Sequence, residues 1–168
     1  MIDIEFNTDP NMSNEAYHAH LALGTSNLKQ ILKNPYAFAA GLKQEQTQAM
    51  VIGSAVHKLV LEAADFHKEF AIMPEVNLRT NEGKNLKAMF EMDNVGKTVI
   101  SQKDYNLAVN CASAVRKEAR DFLINGVAEQ AVFADLNGVA VKCKPDYYIE
   151  SLGLVIDLKV VQDASPDG

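Results

Sequence analysis

The sequence has few of the features that mark secreted, membrane or zinc-scaffold proteins. It contains two cysteines, Cys111 and Cys143, and neither lies in a CxxC or Cys/His pattern. We therefore predict neither a disulfide framework nor a structural zinc site, and a reducing cytoplasm is the simplest compartment. No apolar run approaches the ~18 residues of a membrane span, and the acidic start of the chain (MIDIEFNTDP) has no apolar signal core.

An excess of basic residues is also missing, since the formal net charge is −6. This balance argues against a dedicated nucleic-acid scaffold, which is usually basic. It does not exclude a nuclease, because carboxylates that hold divalent cations count as negative although the bound ions offset them. With 168 residues, 48% of them apolar and 23% charged, the composition is typical of a single globular domain over residues 1–168.

Apolar periodicity predicts helices in the earlier part of the chain. Ser26 is predicted to cap a short helix that ends at Asn34-Pro35. The spacing of apolar residues predicts a buried helix face over residues 50–63. Ser101, with Asp104 three positions later, is predicted to begin a further helix that ends at Asn125-Gly126.

Strands are predicted after these helices, over residues 128–136, 139–149 and 154–161. Asn137-Gly138 is a strong hairpin signal between the first two, and residues 151–153 predict a second turn. The third strand (LVIDLKVV) is so apolar that we expect it to be buried. Helices followed by a strand meander predict an α/β (α+β) fold with a small central sheet.

Three charged residues interrupt the last two predicted strands. Asp146 follows Pro145 on the second strand, and Asp157 and Lys159 lie on the third. Side chains alternate along a strand, so Asp157 and Lys159 are predicted to share a face. If the two strands pair through their turn, Asp146 comes close to Asp157. Charges inside apolar strands are costly unless they are paired or bound to metal.

Such a set suits phosphodiester hydrolysis. Carboxylates can hold Mg²⁺, which polarises the phosphate, lowers the pKa of a bound water and stabilises the leaving oxygen. The lysine can orient that water and balance developing charge. The alternative is a simple ion pair between Asp157 and Lys159 on an exposed strand face. The triplet taken by itself favours the ion pair, whereas the Pro-Asp pair upstream leaves both interpretations open.

Pro145-Asp146 followed by Asp157-Leu158-Lys159 matches the PD-(D/E)xK nuclease signature. More particularly, most of the chain resembles the C-terminal nuclease domain of the RecE (exonuclease VIII) family and its phage relatives. The similar segments follow one another in the family's order, and they are residues 12–19, 52–57, 61–62, 79–84, 96–100 and 128–129.

The resemblance implies a restriction-endonuclease-like core with a small mixed sheet flanked by helices. It also implies a metal centre that uses Mg²⁺, for which Mn²⁺ can substitute. Asp146 and Asp157 would be carboxylate ligands, the Leu158 carbonyl a further oxygen, and Lys159 the catalytic lysine.

Two further site residues are implied by the resemblance. His57 lies in a Gly-x-x-x-His helix motif, in which the histidine is a metal ligand or its close neighbour. Glu129 matches an acidic position before the hairpin, with a catalytic role or a contact to metal or water. Each has an alternative, since His57 could be a half-buried helix residue and Glu129 a solvent-facing strand residue.

Basic residues in two regions are candidates for contacts with DNA. Arg79 and Lys84 lie where a polar loop enters a predicted helix, an arrangement that suits anions. Lys142 and Lys144 alternate with apolar residues on the second strand and share a face with Asp146, so we expect them along the DNA path. For the loop residues, simple solvation is an equally open interpretation.

The resemblance implies a Mg²⁺-dependent exonuclease that degrades linear double-stranded DNA in phage-type recombination, in the cytoplasm of a bacterium or phage-infected host. Its implied partners are double-stranded DNA ends, a single-strand annealing recombinase and further copies of the chain. Family members continue with a helix and a strand that are not found before Gly168, so the expected core lacks both. Two alternatives remain: a non-catalytic DNA-binding or assembly fragment, and a restriction-type endonuclease on the same core.

Overall fold

The computed structural model describes residues 6–42, 46–161 and 163; residues 1–5, 43–45, 162 and 164–168 lie outside the described part. The chain divides into two compact units. The first unit contains residues 1–45 and 124–157, and the second contains residues 46–123 and 158–168. No helix in the described part is long and apolar enough to cross a membrane.

The helices and strands, in chain order, are β1 (Phe6–Asp9), α1 (Asn14–Ala19), α2 (Thr25–Lys33), α3 (Pro35–Ala39), α4 (Gln48–Leu61), α5 (Phe66–Glu69), β2 (Phe70–Met73), α6 (Asn81–Asp93), β3 (Thr98–Ser101), α7 (Gln102–Glu118), β4 (Val127–Ala128), β5 (Ala131–Leu136), β6 (Val139–Cys143), β7 (Tyr147–Ile149) and β8 (Leu154–Ile156). A mixed α and β fold was predicted, and this element order agrees with it.

The helix α2 of the first unit begins earlier than its sequence predicted. Its N-cap is Gly24, and the predicted cap, Ser26, lies inside the helix. The side chain of Asn27 accepts a hydrogen bond from the Gly24 N–H at 2.9 Å, and this bond closes the helix start two residues upstream of the predicted position. The predicted end is confirmed, since Asn34 follows the last helical residue and caps α3.

The predicted hairpin is confirmed in the first unit. Strands β5 and β6 pair antiparallel, and β1 adds to the other side of β5. Asn137 and Gly138 have φ values of 56° and 84°. Positive φ at both central residues is the requirement of the tight turn that suits the twist of two paired strands. The Asn-Gly pair therefore fixes the register of this sheet.

Each long predicted strand around the hairpin is broken. The strand predicted over 128–136 is interrupted at Glu129, whose φ is 52°, and the one over 139–149 is interrupted at Pro145. Proline has no N–H for the ladder, and a positive φ turns the backbone. The described strands consequently form three small sheets, β1-β5-β6, β2-β3 and β4-β7-β8, instead of the one central mixed sheet that was expected.

The third predicted strand is shorter and more exposed than expected. It is observed as β8, which ends at Ile156, and residues 157–161 are not in a strand. Leu154 and Val155 are 37% and 58% exposed, so the prediction of a buried strand was wrong. Within the described part of the sheet, β8 pairs only with β7, and an edge strand of three residues has no second partner to cover it.

The second unit is built on the packing of α4 against α7. Its core contains Ala55, Val56, Phe66, Ile100 and Ala108, all almost fully buried. Alanines on both helices allow close approach of the two backbones. Beside them, β2 and β3 form a parallel pair.

The predicted helices of this unit are largely confirmed. The helix predicted over 50–63 is α4, and Ser101 caps α7 by accepting a hydrogen bond from the Asp104 N–H at 3.1 Å. The predicted end of α7 at Asn125-Gly126 was wrong, because the helix ends at Glu118 and a 3-10 turn over Arg120–Phe122 follows. Strand β2 was missed, since a run of four residues carries little periodicity.

Candidate active site

Asp146 lies just before β7, between two other acidic residues of the first unit. Strand β7 pairs antiparallel with β4 on one side and with β8 on the other. When each register is continued by one residue, Glu129 and Asp157 come to lie on either side of Asp146. The Glu129 N–H donates to the Asp146 carbonyl at 3.1 Å, so the first pairing extends past the end of β4. The predicted approach of Asp146 to Asp157 thus agrees with this register.

The acidic side chains are placed as oxygen donors. A carboxylate oxygen of Glu129 and one of Asp146 lie within 4.8 Å of each other, and both residues are half-buried. Glu129 and the exposed Asp157 line a cleft of about 1010 Å³ in the first unit. Carboxylate oxygens at this spacing are the donors that hard cations such as Mg²⁺ and Mn²⁺ prefer. The donor set therefore fits a hard divalent ion.

Lys144 lies beside this acidic group. Its Nζ is 3.4 Å from Oε2 of Glu129, and its side chain is only 10% exposed. The same ammonium donates to Oδ1 of Asn14, the first residue of α1, and lies 5.7 Å from the centre of the Tyr17 ring. These partners offset part of the cost of removing the ammonium from water.

Lys142 also points toward α1, but its surroundings differ. Its Nζ donates to the carbonyls of Tyr17 and, at 2.9 Å, His20, and it lies 4.6 Å from the centre of the Tyr17 ring. Burial lowers the pKa of this lysine. Its ammonium therefore fastens the end of α1 to β6, and its contact with DNA stays a prediction.

The remaining wall of the cleft combines polar, aromatic and aliphatic side chains. It includes His18, Tyr148 and the start of α2. Partial burial lowers the pKa of His18, and the charges of Lys142 and Lys144 lower it further. Burial raises the pKa of Tyr17, with smaller effects from Cys143 and Glu129. Both shifts favour the neutral forms of these rings at neutral pH.

Three predicted site residues belong to the second unit. His57 lies on α4, one helical turn after Gly53, and is half-buried. Leu158 packs against the core of this unit, whereas Lys159 is exposed. The roles predicted for these residues in metal binding and catalysis stay predictions.

The two predicted DNA contacts of the second unit lie around the start of α6. Arg79 is exposed and directly precedes the N-cap, Thr80, and Lys84 is exposed in the first turn. The Arg79 N–H donates to Oδ1 of Asn77, which orders the loop backbone. This position leaves both side chains accessible to a ligand, and their contact with DNA stays a prediction.

Asn14, Tyr17 and His18 were not assigned any role from the sequence. The segment 12–19 that contains them was noticed only for its similarity to a family. These three residues lie more than a hundred positions before the acidic residues, and their local sequence does not show that they lie near them. Their position depends on the antiparallel pairing of β1 with β5.

A family model described as a PDDEXK-like domain of unknown function (DUF3799) matches residues 24–168. No curated protein and no solved structure matches the chain. The match supports the PD-(D/E)xK nuclease superfamily that the signature predicted, while the narrower resemblance to RecE stays a prediction. The matched range covers most of the chain and contains all three acidic residues around β7. The chain therefore belongs to the family of PDDEXK-like domains of unknown function (DUF3799).

Proposed function

We propose that this chain is a Mg²⁺-dependent exodeoxyribonuclease that degrades linear double-stranded DNA from its ends. The observation that carries the proposal is the position of Asp146 between Glu129 and Asp157, two carboxylates that line one cleft. Membership of the PDDEXK-like family supports nuclease chemistry. The preference for DNA ends and for duplex rests on the resemblance to RecE-like enzymes.

Glu129, Asp146 and Asp157 would hold the ion, and His57 and the Leu158 carbonyl are proposed as further donors. When bound, a divalent ion polarises the phosphate and makes a water molecule more acidic. The protein supplies a fixed set of oxygens, so the site does not need to reorganise when charge develops on the phosphate. Lys144 offsets part of the repulsion among the carboxylates through its ion pair with Glu129.

Lys159 is proposed as the catalytic lysine. An ammonium at that position would orient the attacking water by a hydrogen bond and stabilise charge on the phosphate oxygens. Arg79 and Lys84 are proposed to hold backbone phosphates of the DNA, since both are exposed beside the start of a helix. The same proposal includes assembly into homo-oligomers and an annealing recombinase as partner. It also includes location in the cytoplasm of a bacterium or phage-infected host.

The proposal is tested with end-labelled linear duplex and closed circular DNA, each with Mg²⁺, Mn²⁺ or EDTA. We expect shortening of the linear duplex with metal and no cutting of the circle. Asp146→Asn and Lys159→Met should each reduce the rate by about 100-fold or more. Glu150→Gln is the matched control, because Glu150 is another carboxylate that lines the same cleft.

Each other result selects a different function. Cutting of closed circles would favour a restriction-type endonuclease on the same core. DNA binding that is insensitive to EDTA, without any cleavage, would favour a non-catalytic binding or assembly module. Full activity in Asp146→Asn would remove the proposed centre altogether.

A further inference from the structure

The side chain of Lys144 is enclosed by three residues from two parts of the first unit. Asn14 comes from α1, Tyr17 comes from the same helix, and Glu129 follows β4. Lysine is among the residues least often buried, and here only 10% of the side chain is exposed. Its long stem has therefore lost most of its freedom, and its charge is held at one place beside Glu129.

Glu129 is itself held in an uncommon conformation. Its φ of 52° lies in the left-handed region, which costs a residue with a Cβ about 1 kcal/mol or more. Two interactions with the segment between β6 and β7 support this conformation: the bond from its N–H to the Asp146 carbonyl and the ion pair with Lys144. The backbone bond fixes the peptide, and the ion pair fixes where the carboxylate points.

The fixed charge also affects how many cations the acidic group can take. Ions in two-metal sites lie about 3.5–4 Å apart. If the second ion of such a pair shared the Glu129 carboxylate, it would lie close to the Lys144 ammonium, which is 3.4 Å from Oε2 of Glu129, and the two positive charges would repel each other. Within this unit, Glu129, Asp146 and Asp157 bring three negative charges and Lys144 one positive charge. The net charge of these four side chains is therefore −2, which one divalent ion neutralises.

We propose that Lys144 is a positioning residue that orients Glu129 and, as a built-in cation, limits the acidic group to a single divalent ion. The part that concerns Glu129 stands without any metal. The part that concerns the ion rests on the proposed function.

The first part is tested without metal by a double-mutant cycle in urea denaturation. The variants are Lys144→Met, Glu129→Gln and the double substitution, with Lys84→Met as an exposed lysine control. We expect the double variant to be clearly less destabilised than the sum of the single variants, since each single change leaves a partner unpaired. Additive effects would overturn the positioning role.

The second part is tested by calorimetric titration of Mn²⁺ into folded protein. We expect one ion per chain in the wild type, a second ion in Lys144→Met, and again one ion in Lys144→Arg, which keeps the charge. Two ions in the wild type, or one ion in Lys144→Met, would overturn the limit to a single ion.

The two parts fail separately from the proposed function. If no variant binds Mn²⁺ while the cycle stays non-additive, the single-ion limit and the metal-dependent function are both wrong, and the positioning of Glu129 stands. If Mn²⁺ binds and depends on Asp146 while the cycle is additive, the function survives and the role of Lys144 does not.

Discussion

Lys142 and Lys144 show how two residues of one predicted strand face acquire different tasks. The sequence predicted that alternation places both on one face, and both ammonium groups contact α1 or the residue that follows it. Lys142 meets backbone carbonyls there, whereas Lys144 meets a carboxylate and an amide side chain. The partner of each ammonium depends on the position of α1. The local sequence around the two lysines does not predict that position.

The contacts of Lys142 predict a structural role that can be measured. Lys142→Met should lower the free energy of unfolding by about 2 kcal/mol, because the Tyr17 and His20 carbonyls lose a charged donor. Urea denaturation measures the change. Lys84→Met, on an exposed helix turn, should stay within about 0.5 kcal/mol of the wild type. If Lys142→Met has unchanged stability but a lower affinity for DNA, the structural role is wrong and the predicted DNA contact of Lys142 is supported.

His18 predicts a dependence of stability on pH. Its pKa is lowered below the usual 6.5, first by burial and then by Lys142 and Lys144. Below pH 6.5 the unfolded chain therefore takes up a proton that the folded protein resists, so the contribution of His18 to stability is present above that pH and is lost as the pH falls toward the folded pKa.

Replacing the imidazole should remove that contribution. We expect His18→Gln to flatten the decrease in unfolding free energy between about pH 6.5 and 5, relative to the wild type. The measurement is a series of urea denaturations at several pH values. His67→Gln is the control histidine, in the second unit. A decrease of the same slope in His18→Gln and wild type would contradict the assignment.

At the scale of elements, local sequence signals predicted the turns correctly, whereas the ends of the strands that depend on distant neighbours were not predicted. Asn137-Gly138 fixes its turn by backbone conformation, and the pairing of β7 with β8 follows from the turn between them. The break at Glu129 and the early end of β8 could not be predicted, because neither has a special residue type at that position. Glu129 lies where the chain passes from β4, which pairs with β7, to β5, which pairs with β1 and β6, and the local sequence does not show this change of sheet.

The two glycines of α4 and α6 give a matched pair of predictions. A Cβ at Gly53 would meet no atom of the described residues within 4 Å, so Gly53→Ala should stabilise the protein by about 0.5–1 kcal/mol through helix propensity. A Cβ at Gly83 would lie 2.1 Å from the Asn77 carbonyl oxygen, so Gly83→Ala should destabilise it by about 1–3 kcal/mol. Thermal and urea unfolding check both signs, and the same sign for both variants would contradict the geometry.

At the scale of the whole molecule, the division into two units was not predicted from the sequence. The boundaries fall near residues 45, 124 and 157, and only the first lies near a polar stretch that could be taken for a linker. The second boundary follows a 3-10 turn, and the third separates Asp157 from Leu158 inside a segment predicted to be one strand. Composition does not change there, since the apolar pattern of LVIDLKVV continues across this boundary.

If the acidic group binds a divalent ion, the ion should stabilise the folded chain as a whole. A ligand at 100 times its dissociation constant adds about 2.7 kcal/mol, which for a chain of this size is a rise in Tm of about 5–10 °C. We expect Mn²⁺ to raise the Tm of the wild type and of Glu150→Gln, and EDTA to reverse the rise. Asp146→Asn should show no rise, even if its own Tm without metal is higher because one carboxylate charge is gone. An equal rise in Asp146→Asn would mean that the ion binds somewhere other than between Glu129 and Asp157.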